Sequence, residues 1–188
     1  MKYREFINQH KDEMIEELKK FVSINSVFDK STQTKEHPFG QGVANALDYV
    51  AKLGEKYGFE VDRCDGYCTE LTIGSGDKMI GIFAHSDVVP ATGEWNEDPF
   101  KPYVKDGKLY GRGTSDDKGP FVAAFYAVLP PGRWRSKAAY GVLPSRWQPA
   151  SRRSGAPSPR FPRCFARRTP RLRIRDAQGA PQRLHSIA

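Results

Sequence analysis

The residue types and spacings best suited to chemistry lie between positions 81 and 120. His85 and Asp87 directly follow residues 79–84, a continuous apolar run typical of a central strand covered on both faces. In open α/β sheets, ligands bind at the carboxyl ends of the strands, and side chains at i and i+2 of an extended backbone lie on the same side. An imidazole and a carboxylate can therefore converge there, one binding a metal and the other orienting a ligand or a water molecule.

A second polar group follows a glycine-rich turn at residues 111–113. Asp116 and Asp117 come next, and Lys118 opens a predicted helix. A carboxylate at a helix start is favoured by the helix dipole, and it is also well placed to bridge two metal ions. Each of these pieces alone is also compatible with a purely structural role, such as a turn or an N-cap. Their combination, in this order and at this spacing, is more specific.

The whole stretch resembles the dinuclear zinc peptidase superfamily of aminoacylases, acetylornithine deacetylase, succinyl-diaminopimelate desuccinylase, carboxypeptidase G and carnosinase-like dipeptidases. The family pattern is H-x-D-V-V-P, a Trp, D-P-F, and then D-G-x-L-Y-G-R-G-x-x-D-x-K-G. It is matched by residues 85–90, Trp95, residues 98–100, residues 106–113 and residues 116–119. The wording T-S-D-D-K-G-P is most similar to the bacterial dipeptidase branch, and the resemblance covers residues 1–128.

The resemblance implies a role for three residues. His85 would be a zinc ligand, Asp87 the carboxylate that orients it and is counted as catalytic, and Asp116 the bridge between two zinc ions, followed by a cis peptide bond. Asp117 is interpreted as structural. The implied reaction is hydrolysis of a dipeptide amide, in which two metals activate a water molecule and a Glu acts as general base. Manganese or cobalt could replace zinc, and a deacylase or desuccinylase acting on N-acyl amino acids is the alternative within the family.

The elements that position these residues predict an α/β fold. The resemblance implies the N-terminal part of a zinc-peptidase catalytic domain, with a mixed, mostly parallel sheet and flanking helices. Apolar periodicity and turn signals predict helices over 4–22 and 42–57, strands over 59–63, 68–73 and 79–84, a hairpin over 102–110 turning on Asp106-Gly107, and a helix from Lys118. Gly58 is expected to end the second helix.

The formal net charge of +8 suggests a nucleic-acid partner until it is divided along the chain. Residues 1–128 hold 16 Lys and Arg against 21 Asp and Glu, a net charge of −5, whereas residues 129–188 hold 14 against one, a net charge of +13.

Three cysteines do not make a disulfide framework. No apolar run approaches the roughly 18 residues of a spanning helix. The first residues lack a signal-peptide core, so a cytoplasmic location is expected and a membrane partner is not.

The second segment, residues 129–188, is predicted to be a disordered, basic tail. It has nine of the 14 prolines, and Leu, Ile, Val and Phe make up only nine of its 60 residues, a composition that cannot bury a core. GC-rich codons that are read in a shifted frame encode mostly Arg, Pro, Ala, Gly and Ser. The composition of this segment therefore favours a frameshift as its interpretation. A nucleic-acid-binding basic arm and a metal site completed by Asp176 and His185 are the alternatives.

The tail also lacks residues that the family resemblance requires. The family carries a Glu-Glu pair about 30 residues after the bridging Asp, the first as general base and the second as a ligand, and residues 129–188 contain no Glu. Only His85 and Asp116 of the five expected protein ligands are present. The chain is therefore predicted to be a truncated and inactive dipeptidase. Its exact substrate and its oligomeric state do not follow from the sequence.

Overall fold

The computed structural model describes residues 3–76, 79–129 and 137–143, all of which lie in one unit, Met1–Arg146. Within these residues, helices alternate with short strands. The helices are α1 (Tyr3–Ser23), α2 (Gln41–Lys56) and α3 (Lys118–Ala127), and the strands are β1 (Glu60–Asp62), β2 (Thr69–Ile73), β3 (Met79–His85), β4 (Tyr103–Lys105), β5 (Lys108–Tyr110) and β6 (Lys137–Leu143). None of the described helices is long and apolar enough to cross a membrane.

The helices and strands predicted within residues 1–128 are all confirmed. Helix α2 ends at its C-cap, Tyr57, and Gly58 follows with a φ of 77°, the left-handed conformation that a glycine supplies at little cost after a helix. The β4–β5 hairpin turns on Asp106 and Gly107, whose φ angles are 52° and 72°. Two consecutive positive φ angles are the signature of the tight hairpin turn that an Asp-Gly pair predicts.

The main sheet has the strand order β1-β2-β6-β3. Strands β1 and β2 are antiparallel, as are β2 and β6, whereas β3 and β6 are parallel. The α/β class and the mixed sheet are therefore confirmed, but the prediction of a mostly parallel sheet is wrong for the described strands. Strand β6 follows β3 through α3 and is parallel to it, whereas β1 and β2 are joined by a short segment, and short connections give antiparallel neighbours.

Strand β3 differs from its prediction as a strand covered on both faces. It lies at the edge of the described sheet, and the side chains of Ile80 and Phe83 are 50% and 51% exposed. The apolar run correctly predicts a strand. It does not give the strand's position, because the position depends on which strands pair with it and not on its own composition.

Strand β6 contradicts the expectation that residues 129–188 contain no strand. It spans Lys137–Leu143 and lies between β2 and β3. The seven residues K-A-A-Y-G-V-L form a short apolar run, and its signal is lost when composition is averaged over a segment rich in Arg and Pro. The predictions of disorder and of a frameshift were made for residues 129–188, of which residues 130–136 and 144–188 fall outside the described residues, as do the two candidates Asp176 and His185.

The core lies between the helices and the main sheet. Helix α1 packs against α3, α2 packs against β1 and β2, and α3 packs against β3. The fully buried aromatic and aliphatic side chains of this core include Phe21, Val50, Leu71, Phe121, Phe125, Tyr126 and Val142. This packing holds the carboxyl end of α1, the end of β3 and the start of α3 next to one another.

Candidate functional site

His85 is the last residue of β3, and its imidazole is held by the residue two positions on. Its Nδ1 lies 3.0 Å from the backbone oxygen of Asp87 and 3.3 Å from that residue's carboxylate Oδ1. Because a carbonyl oxygen can only accept a hydrogen bond, Nδ1 carries the proton that it donates. Asp87 is buried. The side chain predicted to orient His85 is therefore in contact with it, and Nε2 is the ring nitrogen left to face outward.

That outward nitrogen meets the second predicted ligand. Nε2 of His85 lies 2.9 Å from Oδ1 of Asp116, across 31 positions of sequence. Burial alone would lower the pKa of His85, but the hydrogen bonds to Asp116 and Asp87 and their negative charges outweigh it, so the pKa is raised. A positive charge at Nε2 is thus favoured, whether a proton or a metal ion supplies it.

The turn before α3 carries Asp116 and Asp117, joined by a cis peptide bond, as the family resemblance implies. The side chain of Asp116 is 87% exposed, which leaves its carboxylate oxygens accessible. The carboxylate of Asp117 faces the other way, because its Oδ2 accepts a hydrogen bond from the backbone N–H of His85 at 3.2 Å. Two consecutive carboxylates therefore contact the imidazole and the backbone of the same histidine.

Lys118, the first residue of α3, is 0% exposed. Its Nζ donates to the backbone oxygens of Phe21 at 3.0 Å and Ile24 at 2.8 Å, at the carboxyl end of α1. A cation is favoured at a helix carboxyl end. Burial lowers the pKa of Lys118 to about 7, although the negative charge of Asp87 acts in the opposite direction. Lys118 therefore ties α1 to the turn that carries Asp116.

The segment after α1 also contacts the end of β3. The buried hydroxyl of Ser26 donates to the backbone oxygen of Ser86 at 2.7 Å, and the backbone N–H of Val88 donates to the oxygen of Ser26 at 3.1 Å. Val27 and Val88 form an isolated parallel bridge. The segment between α1 and α2 thus contacts the chain directly after β3, and through Ile24 it also contacts Lys118 at the start of α3. It supports both of the segments that carry the candidate ligands.

The donor set fits a zinc ion in its chemistry but is incomplete among the described residues. An imidazole nitrogen and an accessible carboxylate oxygen face one another, and the other imidazole nitrogen is held by an aspartate, as is usual for a histidine that binds a metal. Zinc sites use about three or four protein ligands. No group of three or more His, Cys, Asp or Glu side chains with a metal-binding arrangement lies within residues 3–76, 79–129 and 137–143.

The structure thus brings together all three predicted site residues, His85, Asp87 and Asp116. The sequence did not predict the contacts of Ser26 and Lys118, because their partners lie 60 and more residues away along the chain. A lysine directly after two aspartates resembles an exposed charge cluster. Only the burial of the Lys118 side chain against α1 distinguishes it from an exposed charged residue.

Comparison with known proteins shows that this segment is similar to a family of peptidases. Residues 81–130 match the model of peptidase family M20/M25/M40. The chain is 43% identical over 118 residues to a protein described as a putative dipeptidase, YtjP, of Bacillus subtilis strain 168, which covers 63% of this chain and 26% of the relative. It is 35% identical over 130 residues to a Beta-Ala-Xaa dipeptidase of Lactobacillus delbrueckii subsp. lactis, covering 69% of this chain and 28% of the relative. The chain therefore spans about a quarter of the length of these curated relatives.

The fold is shared with solved dipeptidase structures. Human carnosine dipeptidase 1 matches with a TM-score of 0.61 and 25% identity over 75% of this chain and 33% of its own. The dipeptidase Dug1p of Saccharomyces cerevisiae matches with a TM-score of 0.63 over 76% of this chain and 34% of its own, but at 19% identity it shows the fold alone. The predicted resemblance of this segment to a peptidase family that includes dipeptidases is confirmed.

Proposed function

We propose that the described segment forms part of the metal site of a zinc-dependent dipeptidase. The observation that carries this proposal is the 2.9 Å approach of His85 Nε2 to Asp116 Oδ1, with Nδ1 held by Asp87. The family match and the dipeptidase names of the relatives support the class of reaction, hydrolysis of an amide bond. Peptidases of this family are generally metal-dependent, and the proposed ion is zinc, which imidazole and carboxylate ligands can hold, with manganese or cobalt as alternatives.

The three site residues have different proposed roles. His85 and Asp116 bind metal, and the exposed Asp116 carboxylate has oxygens accessible for a second ion. Asp87 keeps the proton on Nδ1, which would leave the lone pair of Nε2 available to bind a metal ion. When bound, the two metal ions of the family polarise the scissile carbonyl and activate a water molecule.

We propose that the substrate class is a dipeptide. Dipeptidases are the relatives with the greatest similarity described above, and one of them is a Beta-Ala-Xaa dipeptidase. An N-acyl amino acid is the alternative substrate within the family. The cytoplasmic location stays a prediction from the sequence.

We also propose that these 188 residues alone do not turn over a dipeptide. The last Glu of the chain is Glu97, so the general base expected after Asp116 is not supplied, and neither are the remaining ligands. A frameshift downstream of codon 128 is the proposed origin, and because β6 pairs with both β2 and β3 we place it beyond codon 143. The nucleotide sequence tests this origin directly: an Asn-Glu-Glu-Ser-Gly-like motif in a shifted frame about 30 codons after Asp116 would support it, and its absence from every frame would count against it.

The experiment is a dipeptidase assay on the purified 188-residue chain with added zinc and a β-alanyl dipeptide. We expect no turnover above that of the buffer with zinc. Turnover that is abolished in His85→Ala would show that the chain is an active enzyme and would contradict the proposed inactivity. Metal binding is measured separately, because binding by two ligands does not require the missing base.

A further inference from the structure

We infer that Asp117, interpreted from the sequence as merely structural, is a positioning residue for the zinc donor His85. The inference rests on the proposed metal site and adds a residue to it. Asp117 would not touch the metal. It would fix the backbone from which the imidazole projects, and so set the separation between the two donors His85 and Asp116.

The first observation is that Asp117 does not use its side chain as its position in the fold predicts. It is the N-cap residue of α3, and its backbone oxygen accepts from the N–H of Phe121 at 3.0 Å. An aspartate at this position normally accepts a hydrogen bond from a backbone N–H of the first helical turn. Asp117 makes no such side-chain cap. Its Oδ2 instead accepts from the backbone N–H of His85, 32 positions earlier.

The second observation is the geometry that this contact creates. Asp116 and Asp117 are adjacent, and one contacts the imidazole of His85 while the other contacts its backbone. The turn before α3 therefore contacts His85 at two points, its imidazole and its backbone N–H. The hydrogen bond from the His85 N–H to Asp117 therefore resists a rotation of the end of β3 that would move Nε2 away from Asp116.

The third observation is that the turn that contacts His85 is itself fixed to the core. Lys118, next along the chain, is fully buried and bonded to two carbonyl oxygens of the α1 end. The turn cannot shift without disturbing these bonds. Because the turn is fixed to the core, the hydrogen bond of Asp117 also fixes the end of β3. A preorganised pair of metal donors requires such fixed positions.

The test compares Asp117→Ala with Asp117→Asn in the 188-residue chain. Asparagine removes the charge but keeps an oxygen that can accept from the His85 N–H, whereas alanine removes both. The control Asp12→Ala removes a carboxylate from an exposed position of α1. Two quantities are measured: hydrogen exchange of the His85 amide by NMR without metal, and Zn²⁺ affinity by competition with a chromophoric chelator.

We expect Asp117→Ala to speed exchange of the His85 amide and to weaken Zn²⁺ binding by about tenfold, the usual effect of losing a group that orients a ligand. Asp117→Asn should stay within about twofold of the wild type in both quantities, as should Asp12→Ala. Unchanged exchange in Asp117→Ala, or an asparagine variant as impaired as the alanine variant, would overturn the inference. Failure of the wild-type chain to bind Zn²⁺ would instead overturn the proposed function. The exchange measurement would still test whether Asp117 holds the backbone N–H of His85.

Discussion

The ammonium group of Lys118 donates a hydrogen bond of 2.8 Å to the backbone oxygen of Ile24, 94 positions away in sequence. This contact joins the start of α3, two positions after Asp116, to the residue that follows α1. The local architecture of the site therefore depends on the buried Lys118 side chain as well as on the strand end that carries His85.

Replacing Lys118 with methionine should lower the free energy of unfolding by about 1–3 kcal/mol, because it removes the lysine donor from the buried carbonyl oxygen of Phe21 and the partly buried one of Ile24. Urea denaturation monitored by circular dichroism measures this change. The control Lys11→Met, at an exposed position of α1, should alter the value by less than about 0.5 kcal/mol. Equal stability of the two variants would contradict the structural role of Lys118.

Glu17 should make stability depend on acid pH. Burial acts to raise its pKa, but hydrogen bonds from Tyr49 and Lys56 outweigh burial, so the pKa lies below its ordinary value of 4.5. A lowered carboxylate pKa contributes stability that is present above 4.5 and is lost as the pH falls through the folded-state value. Glu17→Gln should therefore be less stable at neutral pH by about 1–3 kcal/mol and should show a flatter stability profile below pH 4.5.

The matched control for this effect is Glu16→Gln, since Glu16 is an exposed residue of α1 that forms an ion pair with Lys19, one helical turn further on. We expect its stability profile to follow that of the wild type, because exposed pairs contribute little. Identical acid profiles for the wild type and Glu17→Gln in urea titrations at several pH values would show that this network does not stabilise the fold.

Gly119 should not tolerate a side chain. A Cβ at this position would lie 2.0 Å from the backbone oxygen of Thr114, in the turn before α3. Gly119→Ala should therefore destabilise the fold by about 1–3 kcal/mol through overpacking. In Gly81→Ala the new Cβ meets only the ring edge of Phe83, at 3.3 Å, and stability should stay equal or rise by up to about 1 kcal/mol. Thermal denaturation of both variants would reveal a reversed order, which would contradict the packing of this turn.

Strand β6 should be required for folding, although residues 129–188 were predicted to contain no strand. It joins β2 to β3, so a chain of residues 1–129 would lose the pairing on both sides. We expect residues 1–146, the compact unit, to retain a cooperative urea transition, and residues 1–129 to lose it. Similar transitions in the two truncated chains would show that β6 is dispensable.

Local signals predicted most of the elements in this structure. The periodicity of α1 and α2, the Gly58 stop and the Asp106-Gly107 turn depend on nearest neighbours in sequence, and all are confirmed. Strand order depends on long-range pairing, so the edge position of β3 and the presence of β6 could not be predicted from composition.

The candidate site shows the same division. His85, Asp87 and Asp116 were predicted because a family motif preserves their spacing, and the structure brings them into contact. The bracing contacts of Ser26, Asp117 and Lys118 join segments 32 to 97 positions apart. No local pattern encodes such contacts, because the same residues would also suit a solvated turn.

Zinc affinity of the 188-residue chain tests the central claim, that His85 and Asp116 form a metal site, most directly. Competition with a chromophoric chelator should show saturable Zn²⁺ binding that weakens by about tenfold or more in both His85→Ala and Asp116→Ala, with Asp12→Ala unchanged. Equal affinity in the wild type and both ligand variants would contradict the claim.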